Sequence, residues 1–246
     1  MRSKLIYLPF VLLAIVAVAS MPILVVHADP MYTDPTDDML TSGGFAVAVP
    51  YLDIVNYQVT VSVGQHTVNG NPDVYTVTMN MNGPIPSRVP DFVEWDLLVD
   101  SDMNALTHPA GNFWVFVARG HVGIDYIARY WMDGSKSGAE LVSYDSNGFP
   151  VHMPSEVQAT VNGSTVTLNI DLNPLGTVFS YLVATREYTT HSSSLTPVGF
   201  VRGDLAPDYG YNTFGVGQTT VSQYSNFGPG MPDGFVRVMK GLQHPY

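Results

Sequence analysis

Hydrophobic and polar residues alternate along much of this chain, and a period of two residues is that of a half-buried β-strand. Residues 53–63 alternate throughout and are rich in β-branched side chains. The same pattern predicts further strands over 74–81, 92–99, 113–117, 124–131 and 178–186. No segment places apolar residues at helical spacing over three turns, so the pattern predicts an all-β protein.

The clearest local prediction is a hairpin over residues 156–171. Val157, Ala159 and Val161 alternate with polar residues, and a second alternating run follows from Thr165. Between the two runs, Asn162-Gly163 is typical of a two-residue type I′ turn, which needs positive φ at both turn positions. We therefore expect an antiparallel strand pair that closes at Asn162-Gly163.

The predicted strands are short, closely spaced and separated by turn residues, since the chain has 22 Gly and 18 Pro. This spacing favours an antiparallel β-sandwich of about nine or ten strands, jelly-roll-like, over parallel strand-helix units. We place the sandwich core at residues 53–188. Residues 29–52 are expected to form an acidic linker that leads into it, and residues 189–246 a loop-rich C-terminal segment that packs on it.

The N-terminal segment predicts export. Arg2 and Lys4 precede an apolar run from Leu5 to Val26, and Ala28 supplies the small residue before a cleavage point. We expect residues 1–28 to be a signal peptide and the mature chain to begin at Asp29. An uncleaved membrane anchor is the alternative, because the run is long enough to cross a bilayer. Both predict a secreted or cell-surface protein whose only membrane contact is this segment.

The charge balance and the lack of cysteine exclude several classes. The net charge is −11, and the absence of the basic footprint that phosphate contacts require argues against a nucleic-acid partner. Without residues 1–28 the balance becomes 8 basic against 21 acidic residues, or −13. With no Cys in the chain, a disulfide framework, a thiolate metal site and a catalytic thiol are excluded.

A cluster of oxygen side chains follows the predicted strand that ends at Val99. Asp100, Asp102 and Asn104 stand at alternate positions, and Ca²⁺ prefers six to eight oxygen ligands. The EF-hand pattern is absent, since Gly111 stands where its last Glu would be. Two interpretations stay open: a calcium loop of another kind, or a polar turn whose side chains bond their own backbone.

Several short motifs, in this order, resemble secreted β-sandwich domains of the DOMON-like or family-9 carbohydrate-binding-module-like group. They cover roughly residues 34–211 and are Asp34-Pro35-Thr36-Asp37, Leu52-Asp53-Ile54-Val55, Trp95 to Asp102, Gly123-Ile124-Asp125-Tyr126 and Gly203 to Gly210. The resemblance implies a noncatalytic binding module. It also implies a structural calcium ion, with Asp125 joining Asp100, Asp102 and Asn104 as a ligand.

Such modules bind sugars or haem, so a glycan or another cell-envelope component is the expected partner. Trp131 and Arg129 share one face of a predicted strand, and a Trp beside an Arg suits sugar stacking and hydrogen bonding. Large aromatic residues mostly fill cores, which is the competing interpretation. For Trp95, flanked on its face by Val93 and Leu97, we expect the core.

Two other functions stay open on the sequence. Glu94 and Asp96 share a strand face, at a separation within the range used by glycoside hydrolases, so an extracellular glycan hydrolase is one alternative. The competing interpretation is an outward polar face. The second alternative function is a copper or haem protein that uses His and Met side chains. His108 and His121 flank one predicted strand and could contribute to such a site. Asn162-Gly163-Ser164 is a glycosylation sequon, and Arg202-Gly203-Asp204 matches an adhesion tripeptide.

Overall fold

The computed structural model describes residues 26–42, 45–68, 71–102, 124–144, 150–175, 178–191, 197–206 and 212–215. Within these residues the chain forms β-strands and a single helical turn. The strands before residue 100 are β1 Val26–Ala28, β2 Tyr32–Thr33, β3 Leu40–Thr41, β4 Ile54–Val68, β5 Asn71–Met81 and β6 Phe92–Asp100. The later elements are β7 Tyr126–Asp133, β8 Lys136–Tyr144, β9 Pro150–Met153, β10 Val157–Asn162, β11 Thr165–Asp171, α1 Leu172–Leu175, β12 Val178–His191, β13 Pro197–Ala206 and β14 Asn212–Gly215.

The strands form two antiparallel sheets. Sheet A has the order β1-β4-β5-β11-β10, with β2 also paired to β4. Sheet B has the order β3-β13-β12-β6-β7-β8-β9, with β14 also paired to β12. The predicted all-β antiparallel sandwich is therefore confirmed.

The main core lies between the two sheets. Sheet A contributes alternate residues of its central strands, among them Val59 and Val77, and sheet B contributes Trp95 and Leu97 of β6. Trp95 is fully buried, as expected, and its indole Nε1 donates to the Tyr51 carbonyl over 3.0 Å. The period of two along each strand thus directs one face of both sheets into a shared interior.

The outer faces of the two sheets differ in chemistry. On sheet A, Thr and Asn side chains bond across neighbouring strands, as when Thr76 Oγ1 donates to Asn169 Oδ1 over 2.8 Å. On sheet B, the outer face carries a second buried apolar cluster that includes Leu98, Ile127 and Leu182. It also carries buried charged residues, and β6, the central strand of this sheet, is buried along its whole length.

The strand boundaries extend beyond the expected core of residues 53–188. Strands β1, β2 and β3 lie in the predicted leader and linker, while β13 and β14 lie in the predicted loop-rich segment. Gly199 and Gly203 make the β13 sequence look like a loop. In the structure Gly203 lies where a Cβ would collide with the Thr185 carbonyl oxygen of β12, so the glycine permits close strand pairing. The predicted strand at 113–117 lies outside the described residues.

The predicted hairpin forms, but its turn differs from the expected one. Asn162 pairs with Thr165, so the loop residues are Gly163 and Ser164. Gly163 has a φ of 61°, and Ser164, the other loop residue, is not among the described residues with positive φ. Positive φ at the first loop position alone is the pattern of a type II′ turn, and the type I′ prediction is wrong.

Candidate functional site

The structure brings together three of the four predicted calcium ligands. Asp100 is the last residue of β6, Asp102 follows it, and Asp125 immediately precedes β7. Because β6 and β7 are antiparallel neighbours, the end of one meets the start of the other, and the Asp125 N–H donates to the Val99 carbonyl over 2.9 Å. One carboxylate oxygen from each aspartate lies within 4.8 Å of the others. Asn104 lies outside the described residues.

Hydrogen bonds hold the short turn after β6 against Asp125. Its Oδ2 accepts from the Ser101 N–H over 2.8 Å, from Ser101 Oγ over 2.6 Å and from the Asp102 N–H over 3.4 Å. The polar-turn interpretation thus describes real bonds, and these same bonds bring the carboxylates of Asp100 and Asp102 toward Asp125. Asp100 and Asp125 are buried, while Asp102 is exposed.

This donor set fits a hard divalent cation. Carboxylate oxygens are the preferred ligands of Ca²⁺, and each carboxylate supplies one or two of the six to eight oxygens required. Backbone carbonyls and water commonly complete such a shell. Asp100, Asp102 and Asp125 would hold the ion between the end of β6 and the start of β7, where its charge would offset the repulsion among the three carboxylates.

The two carboxylates considered for glycan hydrolysis lie on the outer face of sheet B, where both are fully buried. Glu94 Oε1 forms an ion pair with Arg129 Nη1, and Glu94 Oε2 lies 3.2 Å from Arg186 Nη2 without hydrogen-bond alignment. Asp96 Oδ2 accepts from Arg186 Nε over 2.8 Å. Glu94 and Asp96 do lie on the outer face of the strand, as expected. They are not exposed to solvent, however, because both are buried and paired with arginine.

The charge network continues along β8 and β9. Glu140 Oε1 accepts from Arg129 Nε over 2.9 Å, and its Oε2 lies 2.9 Å from His152 Nδ1. Three acids and two arginines therefore share this buried face, with His152 at its edge. Burial raises the pKa of Asp96 to about 7, with a further upward contribution from the charge of Glu94, although Arg186 lowers it.

The two predicted ligand-binding residues occupy this same outer face but in different environments. Arg129 is buried and its guanidinium is engaged by Glu94 and Glu140. Trp131 is partly exposed and stacks on Phe92, with ring centroids 6.0 Å apart. Its indole also lies over Gly138, where a Cβ would stand 2.6 Å from the ring. Trp131 therefore keeps a fixed, partly accessible ring, while Arg129 is used inside the protein.

The histidines considered for copper or haem contribute little to the described site. His152 contacts Glu140, and His191 Nε2 lies 3.1 Å from Asp133 Oδ2. His108 and His121 lie outside the described residues. In the part of the chain that the structure describes, the carboxylate groups close enough to share an ion include no histidine.

A second carboxylate cluster joins residues that the sequence had shown only as separate motifs. Asp34, Asp38 and Asp204 place one oxygen each within 4.8 Å of the others. Asp34 and Asp204 are buried, and Asp38 is half-buried. The acidic run at 34–38 was a visible signal, but nothing local indicates its contact with Asp204, which lies on β13.

The contact with Asp204 also bears on the adhesion tripeptide Arg202-Gly203-Asp204. Asp204 is buried, with Oδ2 accepting from the Ile54 N–H over 2.7 Å and Oδ1 from the Leu205 N–H over 2.8 Å. Arg202 forms an ion pair with Glu187. The tripeptide is therefore part of a sheet strand, and its acid faces inward.

Comparison with protein-family models, with curated proteins and with solved structures finds no match to this chain. No helix among the described residues has the length and apolarity needed to cross a membrane.

Proposed function

We propose that the protein is a secreted or cell-surface noncatalytic binding module whose sandwich is stabilised by a structural calcium ion. The observation that supports this most strongly is the convergence of Asp100, Asp102 and Asp125 from two segments of the chain. Two of these carboxylates are buried. Since close buried carboxylates repel one another, a bound divalent cation would favour the folded state over the unfolded chain.

The state of Glu94 and Asp96 supports a noncatalytic module over a hydrolase. A glycosidase needs one carboxyl group positioned to donate a proton to its substrate and a second to act as base or nucleophile. Here both carboxylates are fully buried and bind Arg129 and Arg186. Their bonds to arginine are those of a structural network on the outer face of sheet B.

The calcium proposal is tested by thermal unfolding of the wild type and of Asp102→Asn, each with calcium and with chelator. Asp102 is exposed, so its replacement removes a ligand with little effect on packing. Calcium at about a hundred times its dissociation constant should raise the wild-type midpoint by roughly 5–10 °C, and the variant should lose most of that rise.

Asp91→Asn is the matched control, because Asp91 lies just before β6, at the opposite end of that strand from Asp100. It removes the same charge and should respond to calcium like the wild type. A wild-type midpoint that is the same in calcium and in chelator would reject the calcium proposal.

A glycan is the ligand class that we propose for the module, and the partly exposed, stacked indole of Trp131 supports it. Affinity electrophoresis through gels containing soluble polysaccharides would measure binding. Trp131→Ala should abolish retardation, whereas Phe45→Ala should not, although Phe45 is an exposed aromatic residue at 74%. Equal retardation of wild type and Trp131→Ala would exclude Trp131 from the binding site.

A further inference from the structure

The second carboxylate cluster lies where the N-terminal segment meets both sheets. Asp34 follows β2, which pairs with sheet A, and Asp38 precedes β3, which pairs with β13 of sheet B. Asp204 belongs to β13 itself. One oxygen from each lies within 4.8 Å of the others, so three carboxylates from distant parts of the sequence share one small volume.

A fourth carboxylate, Asp53, faces this cluster from the start of β4. Its side chain is fully buried, and its Oδ2 accepts from the Asn82 amide over 2.8 Å and from the Asp37 N–H over 3.0 Å. Its Oδ1 is buried and has no hydrogen-bond partner. A buried carboxylate oxygen that accepts no bond is costly and calls for a cation or a proton beside it.

Asp53 and Asp204 lie close to each other at the start of β4. Asp204 Oδ2 accepts from the N–H of Ile54, the residue that follows Asp53, over 2.7 Å. Among the described residues, no Lys, Arg or His forms a bond or an ion pair with either Asp53 or Asp204. A bound cation would supply positive charge to these two buried carboxylates.

We propose that Asp34, Asp38 and Asp204, with the unpartnered Oδ1 of Asp53 beside them, form a second divalent-cation site that takes calcium. Three converging carboxylates, with a buried carboxylate next to them, give the oxygen-rich, flexible donor set that Ca²⁺ prefers over the stricter octahedral geometry of Mg²⁺. The ion would fasten the segment that contains Asp34 and Asp38 to β13 and to the start of β4. This site is independent of the one proposed at Asp100, Asp102 and Asp125.

The test counts bound calcium on the full chain after equilibration in calcium buffer and desalting, by elemental analysis. The wild type should retain two ions and Asp38→Asn one. Asp102→Asn serves as the matched comparison and should also retain one, while the double variant should retain none. Loss of an ion in Asp38→Asn but not in Asp102→Asn would support the second site and reject the first.

Hydrogen exchange on the wild type provides a measurement that needs no variant. Calcium should slow exchange at the amides of Asp37, which donates to Asp53, and of Ile54, which donates to Asp204. Two outcomes would overturn the proposal: an Asp38→Asn protein that binds as many ions as the wild type, or unchanged exchange at Asp37 and Ile54. Either would leave a shared proton as the charge that compensates these acids.

Discussion

Asp96 shows how one buried residue can couple the fold to pH. Its Oδ2 accepts from Arg186, its Oδ1 is buried without a hydrogen-bond partner, and burial raises its pKa from 3.8 to about 7. Between those values the folded state holds a proton that the unfolded chain has released. At Asp96, folding therefore binds a proton in this window, and the contribution of this residue to stability falls as the pH rises through it.

We predict that Asp96→Asn flattens this pH dependence. In the wild type, the contribution of Asp96 is complete below pH 3.8 and is lost as the pH rises through about 7. A pKa difference of about three between the folded and unfolded states corresponds to at most about 4 kcal/mol of unfolding free energy. This pH-dependent contribution should be absent from the variant. Urea unfolding across the window measures it, with Asp91→Asn as the control. If the unfolding free energy of wild type and Asp96→Asn changed equally with pH, Asp96 would not be the source of the pH dependence.

The proximity of Asp100 and Asp102 to Asp125 was predictable because it follows from their positions at strand ends. Asp100 and Asp102 follow a clear strand, and that position places them beside the start of the next strand, where Asp125 stands. The burial of Glu94 was not predictable in this way. Alternation assigns it to the outer face of β6, but whether that face is covered depends on contacts that no local pattern contains.

At the scale of single elements, two hairpins share one turn design. Between β7 and β8, Asp133 pairs with Lys136 across a Gly134-Ser135 loop, and Gly134 has a φ of 59°. Between β10 and β11, Gly163-Ser164 takes the same place, with a φ of 61° at Gly163. Glycine at the first loop position is what a type II′ turn requires. The Gly134-Ser135 pair therefore indicated a hairpin and a strand after it. The alternation pattern alone did not predict that strand, β8.

We predict that Gly163→Ala destabilises the protein by about 1–2 kcal/mol, because an L side chain is strained at this positive φ. Nothing lies within 4 Å of the added Cβ, so the cost reports backbone conformation and not a collision. Ser164→Ala, at the neighbouring loop position, is the control and should cost little. The midpoint of urea unfolding measures both, and equal midpoints for the two variants would rule out the turn assignment.

Strands with regular alternation were predictable, whereas β8 and β13, which contain glycine, were missed. Strand β5 buries Tyr75, Val77 and Met79, the face that its pattern assigns to the core. Strand β13 was missed because its glycines resemble loop punctuation, although Gly203 is needed for close pairing with β12. The order of strands within each sheet depends on long-range pairing, which a local period does not encode.

At the scale of the whole molecule, links between distant segments cannot be disulfides, because the chain has no cysteine. Two carboxylate clusters occupy positions where such links would act. One joins residues 34–38 to β13, and the other joins the end of β6 to the start of β7. Calcium at both would add restraints that many secreted proteins obtain from disulfides.

We predict that the N-terminal segment is cleaved as a signal peptide and that the mature chain begins at Asp29. Ala28 meets the small-residue requirement before the cut, and cleavage there would remove β1, which pairs with β4. Asp29 would remain held, since its N–H donates to the Val59 carbonyl over 3.0 Å and its Oδ2 accepts from Tyr181 Oη over 2.8 Å. Expression in a secreting host, followed by intact mass and N-terminal sequencing, measures the outcome.

Ala28→Lys is the matched variant, because a long charged side chain before the cut should block cleavage and leave the protein membrane-associated. The wild type should be released with a net charge of −13, obtained from 8 basic and 21 acidic residues. A wild-type chain that keeps residues 1–28 and sediments with membranes would instead identify the apolar run as an anchor. In that case β1 would remain the edge strand of sheet A, paired with β4.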